Sequence, residues 1–225
     1  LGLSFRSGKD FLFPYYRDLT TCLAAGLTPE DIILNGISKA TDPASGGRHM
    51  SNHFAKPSIG IQNVSSLTGN HAQHATGLAR AVKNYDSDAI VFCSQGESSL
   101  SEGYCYEAII GADREQLPVI FVVQDNGYGI SVPKKDQSAN IDLSDNFSGL
   151  LNLFIKKCDG LDPLASKEAL DLAIEYVRSG RGPAMVYAHC VRIGAHSNSD
   201  RHELYRSVEE LAEAKQSDPL PKFRK

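Results

Sequence analysis

No block of like charges in this chain exceeds a few residues, and its 225 residues sum to a net charge of −4. That excludes the dense cationic surface needed to hold nucleic acid or an anionic membrane. Long hydrophobic runs are also missing. The apolar stretches, such as Ala89–Cys93 and Val119–Val123, fall far short of the roughly 20 residues of a membrane-spanning helix. The five cysteines (Cys22, Cys93, Cys105, Cys158, Cys190) are odd in number and contain no C-x-x-C pair. They read as reduced, buried thiols in a cytosol-like compartment rather than as a disulfide framework or redox motif. The three-glycine dinucleotide fingerprint is absent, which disfavours a nicotinamide cofactor. There is no internal repeat and no low-complexity tract. The first residue is Leu1 and the last four are Lys222-Phe223-Arg224-Lys225, as expected of a stretch of a longer polypeptide.

Hydrophobic residues make up 41% of the chain, enough to fill a core. One domain is expected over residues 1–225, with a peripheral C-terminal helix and tail over 207–225. A helix is predicted over 8–25 from the recurrence of Phe11, Tyr15, Leu19 and Leu23, bent near Pro14 and stopped at Gly26. Thr28-Pro29-Glu30-Asp31 reads as a helix start. Residues 41–65 show no period and read as a long functional loop. Helices are predicted at 68–84, 101–113 and 167–179. Between them lie continuous apolar runs of strand length at Ala89–Cys93 and Val119–Val123, a nearly continuous one at Ala184–Val191, and a shorter strand near Phe154–Cys158. Unbroken apolar strands alternating with helices imply an α/β doubly wound, mainly parallel sheet with helices on both faces.

In such a sheet, ligands bind beyond the carboxyl ends of strands. Two strand ends are rich in chemistry: Gly96-Glu97-Ser98-Ser99 and Gln124-Asp125-Asn126-Gly127-Tyr128. A glycine close behind a strand, followed by small hydroxyl residues and a helix, offers free N–H groups to a phosphate. Ser99 and Glu102 have capping-box spacing. A carboxylate there repels phosphate unless a cation lies between them, so Glu97 implies a hard cation such as Mg2+. Asn126 and the carbonyl of Tyr128 are the candidates for its remaining oxygens. Read on spacing alone, the same residues also make an ordinary surface turn. The histidine pairs His71/His74 and His49/His53 suggest no third zinc ligand. His189 reads as a hydrogen-bonded core histidine and His202 as a solvated one.

Gly96-Glu97-Ser98 and Asp125-Asn126 stand at the separation of the thiamine-diphosphate motif. With Ser101-Glu102-Gly103, Leu117-Pro118-Val119 and Asn126-Gly127-Tyr128-Gly129-Ile130-Ser131, the chain resembles the α-subunits of branched-chain 2-oxoacid and pyruvate dehydrogenases over residues 5–210. Glu in the first triplet is similar to the branched-chain type. Tyr15-Tyr16-Arg17 resembles the segment that grips the cofactor's diphosphate, as an Arg fork does. Gly47-Arg48-His49-Met50 and Ser51-Asn52-His53-Phe54 resemble a loop near the active-site channel. Ser65-Ser66-Leu67-Thr68-Gly69 resembles the turn that carries the aminopyrimidine. Arg192-Ile193-Gly194-Ala195-His196-Ser197 resembles the loop that places a catalytic histidine, and Ser197 falls where some members are phosphorylated.

The resemblance implies thiamine diphosphate and Mg2+ as cofactors. Their contacts would be Tyr16, Arg17, Ser66, Thr68, Gly96, Ser98, Ser99, Gln124, Asn126 and His196, with Glu97, Asn126 and Tyr128 at the metal and His196 catalytic. It implies oxidative decarboxylation of a small 2-oxoacid, with acyl transfer to a lipoyl group on an acyltransferase component. It also implies a heterotetramer with a β part, separate or fused downstream, that completes the site. The location expected is a bacterial cytoplasm in preference to a mitochondrial matrix. Several positions depart from the pattern. Ser98 replaces a Gly and Asp125 an Asn. Gln124 stands where Arg is common, Asn70 and His71 replace a cation-binding Thr-Gln, and Ala195 replaces a second His. These departures leave two alternatives open: a cofactor-free regulatory or scaffolding module, and an acetoin dehydrogenase-like thiamine enzyme.

Overall fold

A computed structural model describes residues 1–85 and 87–224. Its centre is a five-stranded sheet. In chain order the strands are β1 (Phe11–Phe13), β2 (Val91–Gly96), β3 (Val119–Asp125), the short pair β4 (Tyr128–Gly129) and β5 (Val132–Pro133), β6 (Phe154–Asp159) and β7 (Ala184–His189). The spatial order is β1-β2-β3-β7-β6, with every neighbour pair parallel, while β4 and β5 form a separate antiparallel ribbon. The helices are α1 (Leu19–Ala25), α2 (Pro29–Gly36), α3 (His71–Asn84), α4 (Gly103–Glu115), α5 (Pro163–Arg178), α6 (Val208–Gln216) and α7 (Pro219–Phe223).

The central strands β2, β3 and β7 are apolar over most of their length because both faces are covered, while edge strand β6 carries Lys156 and Lys157. Val91, Cys93, Val119, Phe121, Val123, Met185 and Tyr187 pack with Ala72, Ala75 and Ala79 of α3 and Ala108, Ile109 and Ala112 of α4. Their alternating neighbours Phe92, Ile120, Ala184 and Val186 pack with Cys22 and Ala25 of α1 and Ala169, Leu170, Ala173 and Val177 of α5. Period-two alternation along each strand thus divides the core into two layers. The alanines of α3 let that helix lie close to its neighbours. The doubly wound, mainly parallel α/β sheet expected from the sequence is the one observed.

The helix predicted over 8–25 is corrected. Residues Phe11–Phe13 form the edge strand β1, and only Leu19–Ala25 is helical. The four-residue recurrence of Phe11, Tyr15, Leu19 and Leu23 imitates a helix face. Pro14 cannot donate the N–H that a continuous helix needs, and the short apolar run before it pairs with β2 instead. Gly26 stops α1 in the left-handed region (φ 116°), as expected. The Thr28 start is also observed as a full capping box. The Thr28 hydroxyl accepts from Asp31 N at 3.1 Å, and Asp31 accepts from Thr28 N at 3.0 Å. Thr28→Ala should cost about 1 kcal/mol of stability, readable as a small drop in thermal midpoint.

The stretch 41–65 is a loop with one 3-10 turn at Pro57–Ile59. It owes its order to Asp42, which is buried and accepts hydrogen bonds from Ala44 N, Ser45 N, Ser45 Oγ and Asn35 Nδ2. Burial alone would raise the Asp42 carboxyl, but these donors outweigh it and hold the group below the ordinary carboxylate range. Ile61 then bridges to Leu12 and seals the loop's return onto β1.

Candidate active site

Sheet register sets the site. Gly96 of β2 stands opposite Gln124 of β3, and Asp125 of β3 opposite His189 of β7. The three carboxyl ends are therefore level, and the segments that leave them converge on one cavity of about 380 Å³. Tyr16, Arg17, Ser66, Thr68, Gly96, Glu97, Ser98, Ser99, Asn126, Tyr128 and His196 all line it. Segments from the start, middle and end of the sequence meet there.

Glu97 is 1% exposed and Asn126 lies beside it. The Glu97 carboxylate accepts from Asn126 N at 3.2 Å and from Ser98 Oγ at 3.4 Å. Asn126 Oδ1 is buried and has no hydrogen-bond donor. Two hard oxygen donors sharing one wall without enough protons between them form an arrangement that a divalent cation satisfies. Desolvation pushes the Glu97 carboxyl up to about 7 in the metal-free chain, against the pull of the Asn126 N–H. The turn that carries Asn126 and Tyr128 touches the Glu97 turn directly. A Cβ added at Gly129 would lie 2.5 Å from Ser98 Oγ, so a side chain there would displace the Ser98 hydroxyl.

Also lining the cavity, the Arg17 guanidinium donates to His196 O at 2.7 Å and to Tyr15 Oη at 2.5 Å, and lies 4.5 Å from the centre of the Tyr16 ring. It also meets His196 Nδ1 at 3.0 Å. Arginine is always protonated and only donates. His196 Nδ1 therefore accepts, and the ring proton resides on Nε2. Burial, then Arg17, then Arg192 hold the His196 pKa below the ordinary histidine value. His196 is thus a neutral imidazole with a defined tautomer. Its backbone N donates to Asp200 at 2.7 Å, which anchors the loop.

A family model described as "Dehydrogenase E1 component" matches residues 4–225. The chain belongs to the dehydrogenase E1 component family. It is 38% identical over 211 residues to the 2-oxoisovalerate dehydrogenase subunit alpha of Bacillus subtilis (strain 168), covering 94% of this chain and 64% of that protein. It is 31% identical over 216 residues to the mitochondrial pyruvate dehydrogenase E1 component subunit alpha of Dictyostelium discoideum, covering 96% and 56%. The same identity holds over 215 residues with the 3-methyl-2-oxobutanoate dehydrogenase subunit alpha of Mycobacterium tuberculosis (strain ATCC 25618 / H37Rv), again covering 96% and 56%. This E1 chain spans between about half and two thirds of the length of the relatives it matches.

Gln124 does not line this cavity. Its side chain turns away from the cavity, and Nε2 donates to Asp18 Oδ1 at 2.8 Å and to Ser94 Oγ at 3.1 Å. Buried Asp18, whose carboxyl is raised by desolvation, recruits these donors. The Ser99–Glu102 capping box is also absent. Residues Glu97–Ser101 form a 3-10 turn, Glu102 precedes α4 without a side-chain cap, and Ser99 is buried. The turn, not an α-helix end, therefore faces the cavity. His189 is no core histidine: it sits half-exposed at the sheet's end, beside Asp125 and Asp142. His202 is half-buried rather than solvated, with Nδ1 unpartnered.

Several further lining residues belong to the motif segments but carried no role of their own in the sequence. Ile130 and Met50 supply apolar surface. Arg192 donates to Ile130 O and to Tyr205 Oη, both at 2.7 Å, and stands over the Tyr128 ring. His71, read in the sequence as one of a histidine pair and as a departure from a cation-binding Thr-Gln, faces the cavity from the first turn of α3. Its Nε2 donates to Ser94 O at 2.8 Å and its Nδ1 has no partner.

Proposed function

We propose that this chain is the cofactor-holding α part of a thiamine-diphosphate-dependent 2-oxoacid dehydrogenase. The observation that carries the reading is the Glu97–Asn126 pair: a deeply buried carboxylate beside a buried, unpartnered amide oxygen at two strand ends. Glu97, Asn126 and Tyr128 would hold Mg2+. Arg17, Ser98 and Ser99 would meet the diphosphate, and Tyr16, Ser66, Thr68 and Gly96 the rest of the cofactor. When bound, thiamine diphosphate supplies the nucleophilic carbon and the electron sink for decarboxylation. The chain's own residues bind and orient. His196 holds a proton on Nε2, placed to donate as charge develops on the substrate, and Arg17 keeps that tautomer. The β part completes the site, and a lipoyl-bearing acyltransferase receives the acyl group. The 38% identity to a 2-oxoisovalerate dehydrogenase subunit favours a branched-chain 2-oxoacid over pyruvate. Decarboxylation rates on the two substrates decide this.

Binding tests the reading directly. A ligand that binds only the folded state stabilises it by about 2.7 kcal/mol at a hundred times its Kd. In the presence of the β partner, thiamine diphosphate with Mg2+ should raise the thermal midpoint, and either alone should not. No shift with both present would favour the cofactor-free module. Gly129→Ala supplies a finer check. The added methyl displaces the Ser98 hydroxyl from its place beside Glu97, so cofactor affinity should fall by about tenfold while thermal stability changes little.

A further inference from the structure

Asp125 is 2% exposed and lies between Gln124 and Asn126 at the end of β3. Its Oδ1 accepts from Gly127 N at 2.9 Å. Its Oδ2 accepts from Tyr187 Oη at 2.9 Å and from Lys134 Nζ at 2.5 Å. A buried carboxylate without a cation is strongly destabilising, so one of these partners must carry charge. Lys134 does so from nine residues further on. Its backbone N also donates to Gly127 O at 2.9 Å, and the β4–β5 ribbon pairs Tyr128 with Pro133 and Gly129 with Val132. The excursion 127–133 is therefore closed three times at its base: by main chain, by ribbon, and by the Asp125–Lys134 ion pair. The residues held in that excursion, with Asn126 at its root, are those that face Glu97.

Asp125, Asp142 and His189 approach closely enough to suggest a second metal site. Lysines take up that charge instead. Lys134 Nζ also reaches Asp142 at 3.4 Å, and Lys157 Nζ lies 2.9 Å from Asp142. These contacts make the cluster an ion-pair network.

We propose that Lys134, through its ion pair with Asp125, is a positioning residue that holds Asn126 and Tyr128 at the distance from Glu97 that a divalent cation requires. The proposal rests on the cofactor reading given above. Asp125 and Lys134 then act as a unit: the carboxylate departs from the amide of the thiamine motif, and the lysine supplies the counter-charge that this departure demands.

The test uses the enzyme assembled with its β part and three proteins: wild type, Lys134→Met, and the charge-neutral pair Asp125→Asn/Lys134→Met. Two quantities are read: the Mg2+ concentration that half-saturates thiamine-diphosphate binding, and amide hydrogen exchange at residues 126–130 without cofactor or metal. Lys134→Met leaves Asp125 buried and unpaired. It should lower the thermal midpoint, raise the Mg2+ requirement by about tenfold or more, and speed exchange in the loop. The double variant removes the unpaired charge and should recover the midpoint. Its Mg2+ requirement and exchange should stay raised, because the side-chain tie from residue 134 to Asp125 is gone and only the main-chain bond to Gly127 and the ribbon remain. An unchanged Mg2+ requirement in Lys134→Met overturns the proposal. So does a double variant that recovers the Mg2+ requirement and the exchange along with stability. If wild type itself shows no Mg2+-dependent binding, the cofactor reading fails. The exchange data then still decide whether Lys134 orders the loop.

Discussion

Glu97→Gln should abolish Mg2+-dependent binding of thiamine diphosphate and, at the same time, stabilise the metal-free chain. Both signs come from one fact: Glu97 is buried with too few donors. Losing a residue that merely supports a metal ligand already costs about 10- to 100-fold in affinity, so loss of the ligand's charge should cost more than that. Stability moves the other way. The Glu97 carboxyl titrates near 7 in the fold, against the ordinary 4.5. Between these values the folded chain keeps a proton that the unfolded chain has released. The Glu97 contribution to stability is therefore fullest below pH 4.5 and is lost as pH rises to about 7, by about 3 kcal/mol in all. Glutamine carries no such charge, so above pH 7 the variant should unfold later than wild type when metal is absent. Magnesium binding needs the ionised form. Its affinity in wild type should thus weaken about tenfold per pH unit below 7. Thermal melts and calorimetric titrations at pH 6 and pH 8 read both effects. A Gln variant that keeps Mg2+-dependent affinity would remove the metal role.

The second large effect concerns His196. Removing a positioned proton donor typically costs about 10²- to 10⁴-fold in rate. His196→Ala should therefore collapse kcat for lipoyl acylation in the assembled enzyme. Arg17 keeps Tyr15 and Tyr16 as partners in that variant, so affinity for thiamine diphosphate should fall far less than kcat. Arg17→Lys should show the opposite balance. It loses the fork that suits diphosphate, and with it the second donor aimed at His196. Unaltered lipoyl acylation by His196→Ala would end the catalytic assignment.

These effects trace to features of unequal legibility in the sequence. The interior strands could be read because burial on both faces leaves Val119–Val123 and its counterparts apolar at every position. Edge strand β1 could not. Its three residues are too few for an alternation, and their spacing to Leu19 and Leu23 mimics a helix. Glu97 and Asn126 were legible as two ends of a motif, and a cation was inferable from a carboxylate at a phosphate-type turn. The unpartnered state of Asn126 Oδ1 was not, because it depends on register between two strands. The Arg17–His196 contact joins positions 179 residues apart; only the family resemblance placed both at one site. That Gln124 would be held by Asp18 and Ser94 was not legible, because a residue at a strand's end points to one face or the other and the pull of buried Asp18 is a tertiary fact. The partnership of Asp125 with Lys134 was equally hidden, since it needs the ribbon to fold back over the strand end.

A structure of the assembled enzyme with thiamine diphosphate and Mg2+ bears most directly on the role of Glu97. The ion should lie about 2.0–2.1 Å from a Glu97 carboxylate oxygen and from Asn126 Oδ1, with the diphosphate on its far side facing Arg17. A cofactor bound with its metal away from Glu97, or a cavity that stays empty at saturating cofactor and metal, would contradict it.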